Sequence, residues 1–299
     1  MSPLPFAARW KAKLLRRTGL GALMLLASLL TCFASARLPL SEANADRDLA
    51  TQTQARIAWR LDWQTRCLAP DTPPDTVNPF ELDLAVLLRF VAQEPTVAAP
   101  LLMRAQANGI EVCLVQSDMG ARGAFDRNTN LVWLDTRVPF AHQTIILIHE
   151  LRHVDVIADG VVPNPSMALR DAVRLHLAME ADAHMVGVLY AWQASRAGDP
   201  WMWDAALTLT QHDDVARALS AALITLGPSP SAYREAFLAW YEDEERVADY
   251  RFYACMMFLD CVDEQHLPPG YADVHPDVYR RLGLLPSGEW YDATPALGD

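Results

Sequence analysis

Lysine is almost missing from this chain of 299 residues, and basic residues are few as a whole. Lysine occurs only as Lys11 and Lys13, and the 25 basic residues face 37 acidic ones, so the formal net charge is -12. A nucleic-acid-binding protein needs a basic surface, and this charge balance therefore argues against a nucleic-acid partner. No low-complexity tract dominates the chain, and 52% of its residues are hydrophobic. We therefore expect a globular protein with enough apolar side chains for a sizeable core.

Acidic residues are absent from positions 1–36, which distinguishes this segment from the rest of the chain. Its basic residues come first, and an uncharged, apolar run follows between Arg17 and Arg37. A basic flank, an apolar stretch and the small residues Ala34-Ser35-Ala36 are typical of a secretory signal peptide. The same run is just long enough to serve as a membrane anchor instead. Both interpretations predict export, either to the periplasm or to the outer face of the cytoplasmic membrane, with membrane association through this segment if it is retained.

Cysteine is scarce as well, and its positions agree with export. Without residues 1–36, the chain keeps Cys67, Cys113, Cys255 and Cys261. An even number of cysteines in an oxidising compartment allows two disulfides in three pairings, and the alternative is a set of buried thiols. Cys255 and Cys261 cannot pair within one continuous helix, because six residues rise about 9 Å along a helix axis.

Proline content and apolar periodicity divide the remainder of the chain into three parts. Residues 37–80 are polar and rich in proline, which predicts a linker with one helix around Thr51–Arg66. Residues 81–262 are the predicted main domain, and residues 263–299 are predicted to be an irregular C-terminal tail. The helices predicted in the main domain are Glu81–Ala92, Pro95–Asn108, Thr144–Asp159, Ser166–Ala197, Pro200–Thr210, Asp213–Leu226 and Ser231–Phe258.

Strand signals lie just before the predicted helix Thr144–Asp159. The segment Ile110–Val115 is rich in β-forming residues. Gly123–Phe125 and Asn130–Asp135 flank the turn residues Asp126–Thr129, which is a hairpin pattern. The sequence therefore predicts a predominantly helical α+β fold with a small antiparallel sheet that precedes this helix.

The motif His149-Glu150-Leu151-Arg152-His153 lies within that predicted helix. Histidines four residues apart differ by about 40° around a helix axis, so both imidazoles lie on one face and can bind one zinc ion. Glu150 is rotated by about 100° from His149, which directs its carboxylate towards a metal-bound water instead of the metal. The motif therefore predicts a zinc site with Glu150 as general base.

A zinc site of this kind needs a third protein ligand, and the next long helix offers three candidates. Glu180 is the preferred ligand, His184 is less favoured and His176 least. His184 could instead orient Glu180 or a metal-bound histidine. Asp182 points to the opposite side, where we expect a solvated carboxylate or a partner for an arginine. The small side chains of Ala183 and Gly187 would let the two helices approach each other closely.

The HELRH motif, followed by Glu180-Ala181-Asp182-Ala183, resembles the gluzincin branch of the zincin metallopeptidases. It is similar in particular to bacterial metallopeptidase families of unknown function with a strand hairpin, an HELRH helix and a later acidic helix. The resemblance covers roughly residues 110–190. It implies a zincin-like domain in which His149 and His153 are zinc ligands, Glu180 is the third ligand and the motif glutamate is the catalytic base. One departure is His184, because many gluzincins carry aspartate at that position.

The function predicted from these features is an exported zinc-dependent hydrolase, a metallopeptidase that acts on a peptide or protein substrate. Hydrolysis would also need a donor that stabilises the oxyanion near the metal. One alternative is a non-catalytic envelope protein with a structural or vestigial metal site, and another is a helical protein in which the motif arose by chance. The sequence leaves the oligomeric state open. It also does not rank the possible oxyanion donors, which are Tyr190, Arg152, His142, Tyr241 and Tyr250.

Overall fold

The computed structural model describes residues 66–73, 76–117, 121–268 and 270–295. The predicted leader, residues 1–36, and residues 51–65 of the predicted helix Thr51–Arg66 lie outside the described residues. Arg66 itself begins a strand. Within the described ranges, no helix combines the length and the apolar character that crossing a membrane would require.

Four strands in the described part of the chain form one sheet with the order β1-β2-β4-β3. The β1–β2 and β4–β3 pairs are antiparallel, whereas β2 and β4 are parallel. The predicted antiparallel sheet is therefore wrong, and the sheet is mixed. All five residues of β4 are buried, so this strand takes a central place beside β2, and its hairpin partner β3 forms the edge. The strands are Arg66–Leu68 (β1), Glu111–Val115 (β2), Gly123–Asp126 (β3) and Leu131–Asp135 (β4).

A disulfide between Cys67 and Cys113 joins β1 to β2 at directly opposed positions. The four cysteines are therefore not all buried thiols. Cys255 is a free thiol and lies on the same continuous helix as Cys261, so these two do not pair with each other. This agrees with the expectation from helix rise.

Helices make up most of the described chain, which confirms the predicted predominantly helical character. Two short 3-10 turns, Pro79–Glu81 and Trp240–Glu242, accompany them. The α-helices are Leu82–Val91 (α1), Ala98–Ala107 (α2), Phe140–Ala158 (α3), Leu169–Ala197 (α4), Trp201–Thr208 (α5), Asp213–Leu226 (α6), Pro230–Ala239 (α7), Glu244–Glu264 (α8) and Pro276–Leu282 (α9).

The predicted single helix Ser231–Phe258 is wrong, because the chain breaks between α7 and α8. Asp243 has an extended backbone with ψ 95°, and its side chain accepts a hydrogen bond from the backbone N–H of Arg246. It therefore caps the start of a new helix. The C-terminal part is also more regular than predicted, since it contains α9.

The HExxH helix, α3, is held closely between β3 and α4. A Cβ added at Gly123 would lie 2.6 Å from the side chain of Ile146, so only glycine lets β3 approach the helix at this point. On the other side, a Cβ added at Gly187 of α4 would lie 3.3 Å from the carbonyl oxygen of Ile145. The predicted close approach of the two helices at Gly187 is thus confirmed.

A buried ion pair between Arg152 and Asp182 joins α3 and α4. Arg152 is 1% exposed, and its Nε donates to the Oδ2 of Asp182, 2.7 Å away. Its Nη1 donates to the carboxylate of Asp155 at 2.6 Å. Asp182 is fully buried, so the predicted solvated carboxylate is wrong and the alternative, an arginine partner, is observed. Burial alone would lower the pKa of Arg152, but the Asp182 carboxylate raises it above its ordinary value.

The C-terminal segment completes this buried pair. Nη2 of Arg152 donates to the carbonyl oxygens of Leu282 and Leu284, at 2.5 and 2.9 Å. The hydroxyl of Tyr291 donates to the other carboxylate oxygen of Asp182 at 2.6 Å. A buried ion pair is stable only when its remaining donors and acceptors are also satisfied, and this segment supplies those groups. Residues 282–291 are therefore part of the core behind the HExxH helix.

Candidate metal centre

The two histidines of the motif face each other from successive turns of α3. Their Nε2 atoms are 3.1 Å apart. Both rings are largely buried, with side-chain exposures of 9% for His149 and 12% for His153. The apolar residues Ile145–Ile148 drive this part of the helix into the core and carry the histidines with them.

The carboxylate of Glu180, on α4, lies opposite this histidine pair. Its Oε2 is 3.5 Å from the Nε2 of His149, and its Oε1 is 3.5 Å from the Nε2 of His153. Among the three candidate third ligands in the described chain, Glu180 is therefore the one that lies against both motif histidines. The close packing of α3 and α4 at Gly187 brings it there.

These separations can be compared with the size of a metal site. Donor atoms bound tetrahedrally at about 2.0–2.1 Å from zinc lie about 3.3 Å from one another. The 3.1 Å and 3.5 Å separations in this structure are close to that value. Two imidazoles and one carboxylate are also a donor set that zinc accepts. The residues present therefore fit a zinc-sized ion.

The pKa values in the trio of His149, His153 and Glu180 depend on burial and on the attraction between the carboxylate and the imidazoles. Burial would lower the pKa of His153, but the Glu180 carboxylate outweighs it and raises that pKa above its ordinary value. Burial likewise opposes the charged form of Glu180, yet His153 and His149 hold its pKa well below the usual range. Glu180 is therefore a carboxylate anion, held in a buried place by two imidazoles.

Glu150 lies beside the same pair of histidines but on another side of α3. One carboxylate oxygen of Glu150 and one nitrogen from each of His149 and His153 lie within 4.8 Å of one another. Glu150 is 7% exposed, and burial raises its pKa. A carboxylate with a raised pKa beside the two candidate zinc ligands of α3 has the placement that a proton acceptor needs.

His176 and His184, the other candidate ligands on α4, lie near the trio, but neither lies against both motif histidines as Glu180 does. The Nε2 of His176 is 3.8 Å from Glu180 Oε1, so it contacts the carboxylate and not the histidine pair. The Nδ1 of His184 donates to the backbone carbonyl of Glu180 at 2.8 Å. Its ring lies edge to face with that of His149, with ring centroids 4.5 Å apart.

His212 is a member of the cluster that the sequence reasoning missed. It precedes α6 and is 6% exposed, and its ring centroid is 4.3 Å from that of His184. Neither of its ring nitrogens has a hydrogen-bond partner among the described residues. Nitrogens of His149, His184 and His212 lie within 4.8 Å of one another and form a second group with metal-ligand chemistry. A single histidine in a turn gives no spacing signal, so only the fold could place it here.

A cavity opens onto these residues from the side of β3. The candidate ligands and Glu150 line it together with His212 and Tyr250. Gly123 and Phe125 of the edge strand form one wall, and apolar side chains form much of the rest. A cavity with an apolar wall and a few converging polar groups is the usual form of a binding site.

Only one of the five predicted oxyanion donors lines this cavity among the described residues, and that is Tyr250. Burial holds the pKa of Tyr250 well above its ordinary value, so its hydroxyl stays protonated and can donate. Arg152 is engaged behind the helix, and His142 lies near the hydroxyl of Thr208, 3.3 Å away. Tyr190 and Tyr241 do not reach the cavity lining.

Packed helices that bury imidazoles and carboxylates beside an open cavity are features of metal-binding proteins. Residues 52–293 match the family described as "Putative metallopeptidase family (DUF6782)". The match covers most of the chain, so the protein belongs to this family. Comparisons with curated proteins and with solved structures gave no match. The family description implies a bound metal, and the histidine cluster lies within the matched residues.

Proposed function

We propose that the protein is an exported, zinc-dependent metallopeptidase that hydrolyses peptide bonds in a peptide or protein substrate. His149, His153 and Glu180 are the zinc ligands in this proposal. The observation that carries it is the placement of one buried carboxylate 3.5 Å from each of two imidazole nitrogens that are themselves 3.1 Å apart. His184 is a less favoured ligand because it contacts His149 and His212 but not His153.

Zinc bound by these residues would lower the pKa of a water molecule and polarise the scissile carbonyl. Glu150 takes a proton from the attacking water at a carboxylate oxygen and passes it to the leaving amine nitrogen as the C–N bond breaks. The hydroxyl of Tyr250 donates a hydrogen bond to the oxygen of the former carbonyl, which gains negative charge.

The cellular location in this proposal is outside the cytoplasm, in the periplasm or at the outer face of the membrane. The disulfide between Cys67 and Cys113 supports it, because disulfides persist mainly in oxidising compartments. The basic and apolar character of residues 1–36 supports it as well.

The test of this function is a Glu150→Gln variant of the full chain. We expect it to retain zinc but to lose hydrolysis of unstructured proteins such as casein, with a rate lower by about 100-fold or more, because general base catalysis is removed. The matched control is Glu235→Gln, which also removes one carboxylate but from an exposed position on α7. Undiminished hydrolysis by Glu150→Gln would refute the mechanism. A wild-type protein with zinc but no hydrolysis would favour the non-catalytic alternative.

A further inference from the structure

Arg122 is a cation in the cavity for which the described residues offer no charge partner. It lies directly before β3, and its side chain is half-buried and lines the cavity. Its backbone is fixed, because its carbonyl accepts from the N–H of Asp135 at 2.8 Å. Across the described ranges, its guanidinium makes no hydrogen bond and no ion pair. Burial lowers the pKa of Arg122, and no carboxylate in this part of the chain offsets that effect.

Two arginines that are more deeply buried, Arg152 and Arg246, have carboxylate partners. Arg152 binds Asp182 and Asp155, and Arg246 binds both carboxylate oxygens of Asp214 at 3.1 and 2.5 Å. Withdrawing a charge from water is costly unless a partner compensates for it. The fold meets this requirement for Arg152 and Arg246 but leaves Arg122 uncompensated where a ligand would bind. An unpaired charge of this kind is typical of a residue retained for binding.

Arg122 is also close to the metal centre. It lines the same cavity as His149, Glu180 and His212. The ring centroid of His212 is 5.8 Å from that of His149. A substrate group bound by Arg122 would therefore belong to the same molecule that reaches His149 and Glu180.

We infer that Arg122 binds a carboxylate of the substrate and gives the proposed peptidase a preference for acidic peptides. A guanidinium donates two parallel hydrogen bonds to a carboxylate, and such pairs gain strength when they are partly withdrawn from water. Glu150 and Glu180 in the same cavity, and the net charge of -12, would otherwise repel such a substrate. The carboxylate comes either from a Glu or Asp side chain or from the C-terminus of the peptide. The inference rests on the proposed function.

The test uses matched fluorogenic peptides and the full-length protein. One pair differs by Glu against Gln at each position near the cleaved bond, and the other differs by a free against an amidated C-terminus. The variants are Arg122→Met, Arg122→Lys, which keeps the charge, and Arg196→Met as an exposed control on α4. We expect wild type and Arg196→Met to prefer the acidic member of one pair in kcat/KM by about 10- to 100-fold. We expect Arg122→Met to lose that preference and Arg122→Lys to regain part of it.

Binding provides a readout apart from turnover. Calorimetry with the Glu150→Gln protein and the same peptides should show the same preference, and a second substitution, Arg122→Met, should abolish it. Because Arg122 has no partner in the described structure, Arg122→Met should not lower the melting temperature. The pair of peptides that responds identifies the source of the carboxylate.

The outcomes separate this inference from the proposed function. Hydrolysis without acidic preference, or a preference that survives in Arg122→Met, would overturn the inference and leave the peptidase intact. Arg122-dependent binding of acidic peptides without any hydrolysis would support the inference and overturn the peptidase.

Discussion

Substitution of Asp182 by Asn should destabilise the protein strongly, although Asp182 does not touch the proposed metal site. The change leaves the buried guanidinium of Arg152 without its main counter-charge, so that Asp155 is its only remaining carboxylate partner. Removal of one partner from a buried ion pair costs about 3–5 kcal/mol. Asparagine keeps one acceptor oxygen, so we expect a loss near the lower limit, about 3 kcal/mol in the free energy of unfolding.

The assay is urea denaturation followed by tryptophan fluorescence, with a chelator present so that metal binding does not contribute. The matched control is Asp155→Asn, which removes a carboxylate from the same arginine. The Asp155 side chain is 15% exposed, against 0% for Asp182, so solvent can take its place more easily. We expect this variant to lose about 1–2 kcal/mol, although Asp155 also accepts a hydrogen bond from Arg104. Equal losses in the two variants, or a larger loss in Asp155→Asn, would refute the reasoning that burial decides the cost.

Two further predictions concern the site and the sheet. Tyr250→Phe should lower kcat by about 10- to 1000-fold and leave the zinc content unchanged, because it removes a hydrogen-bond donor that is needed only in the transition state. Steady-state kinetics checks this, and a changed KM with an unchanged kcat would contradict it. Replacement of both Cys67 and Cys113 by Ser should lower the free energy of unfolding by about 2–4 kcal/mol, since their disulfide closes a loop of sequence separation 46. The free energy of unfolding of this double variant is measured by denaturation and compared with that of the oxidised wild type. Equal values would mean that the disulfide does not constrain the unfolded chain.

Local patterns in the sequence predicted the elements that carry the motif. The helix Asp213–Leu226 has the predicted bounds, and the hairpin lies where the pattern places it. The HExxH helix is also present, but it begins at Phe140, four residues before the predicted start at Thr144. The placement of His149 and His153 on one face of a helix followed from their spacing of four residues. These features depend on neighbours a few residues apart, so sequence spacing is informative about them.

Contacts between segments that are distant in sequence could not be predicted from such local patterns. The parallel pairing of β2 with β4 depends on a choice of neighbour that period-2 alternation does not encode. The burial of Asp182 depends on Tyr291, more than a hundred positions away. His212 carries no motif at all and reaches the cluster only through the turn before α6. Arg122 likewise belongs to no motif, and only the structure places it in the wall of the cavity.

If His149, His153 and Glu180 bind one zinc ion, the claim can be checked by the metal content of three full-length proteins. Wild type and His184→Gln, purified and analysed by mass spectrometry for bound metal, should each hold one zinc per chain. Glu180→Ala should hold little or none while keeping its helical circular dichroism. Retention of zinc in Glu180→Ala together with its loss in His184→Gln would contradict the claim and assign the metal to the imidazoles of His149, His184 and His212.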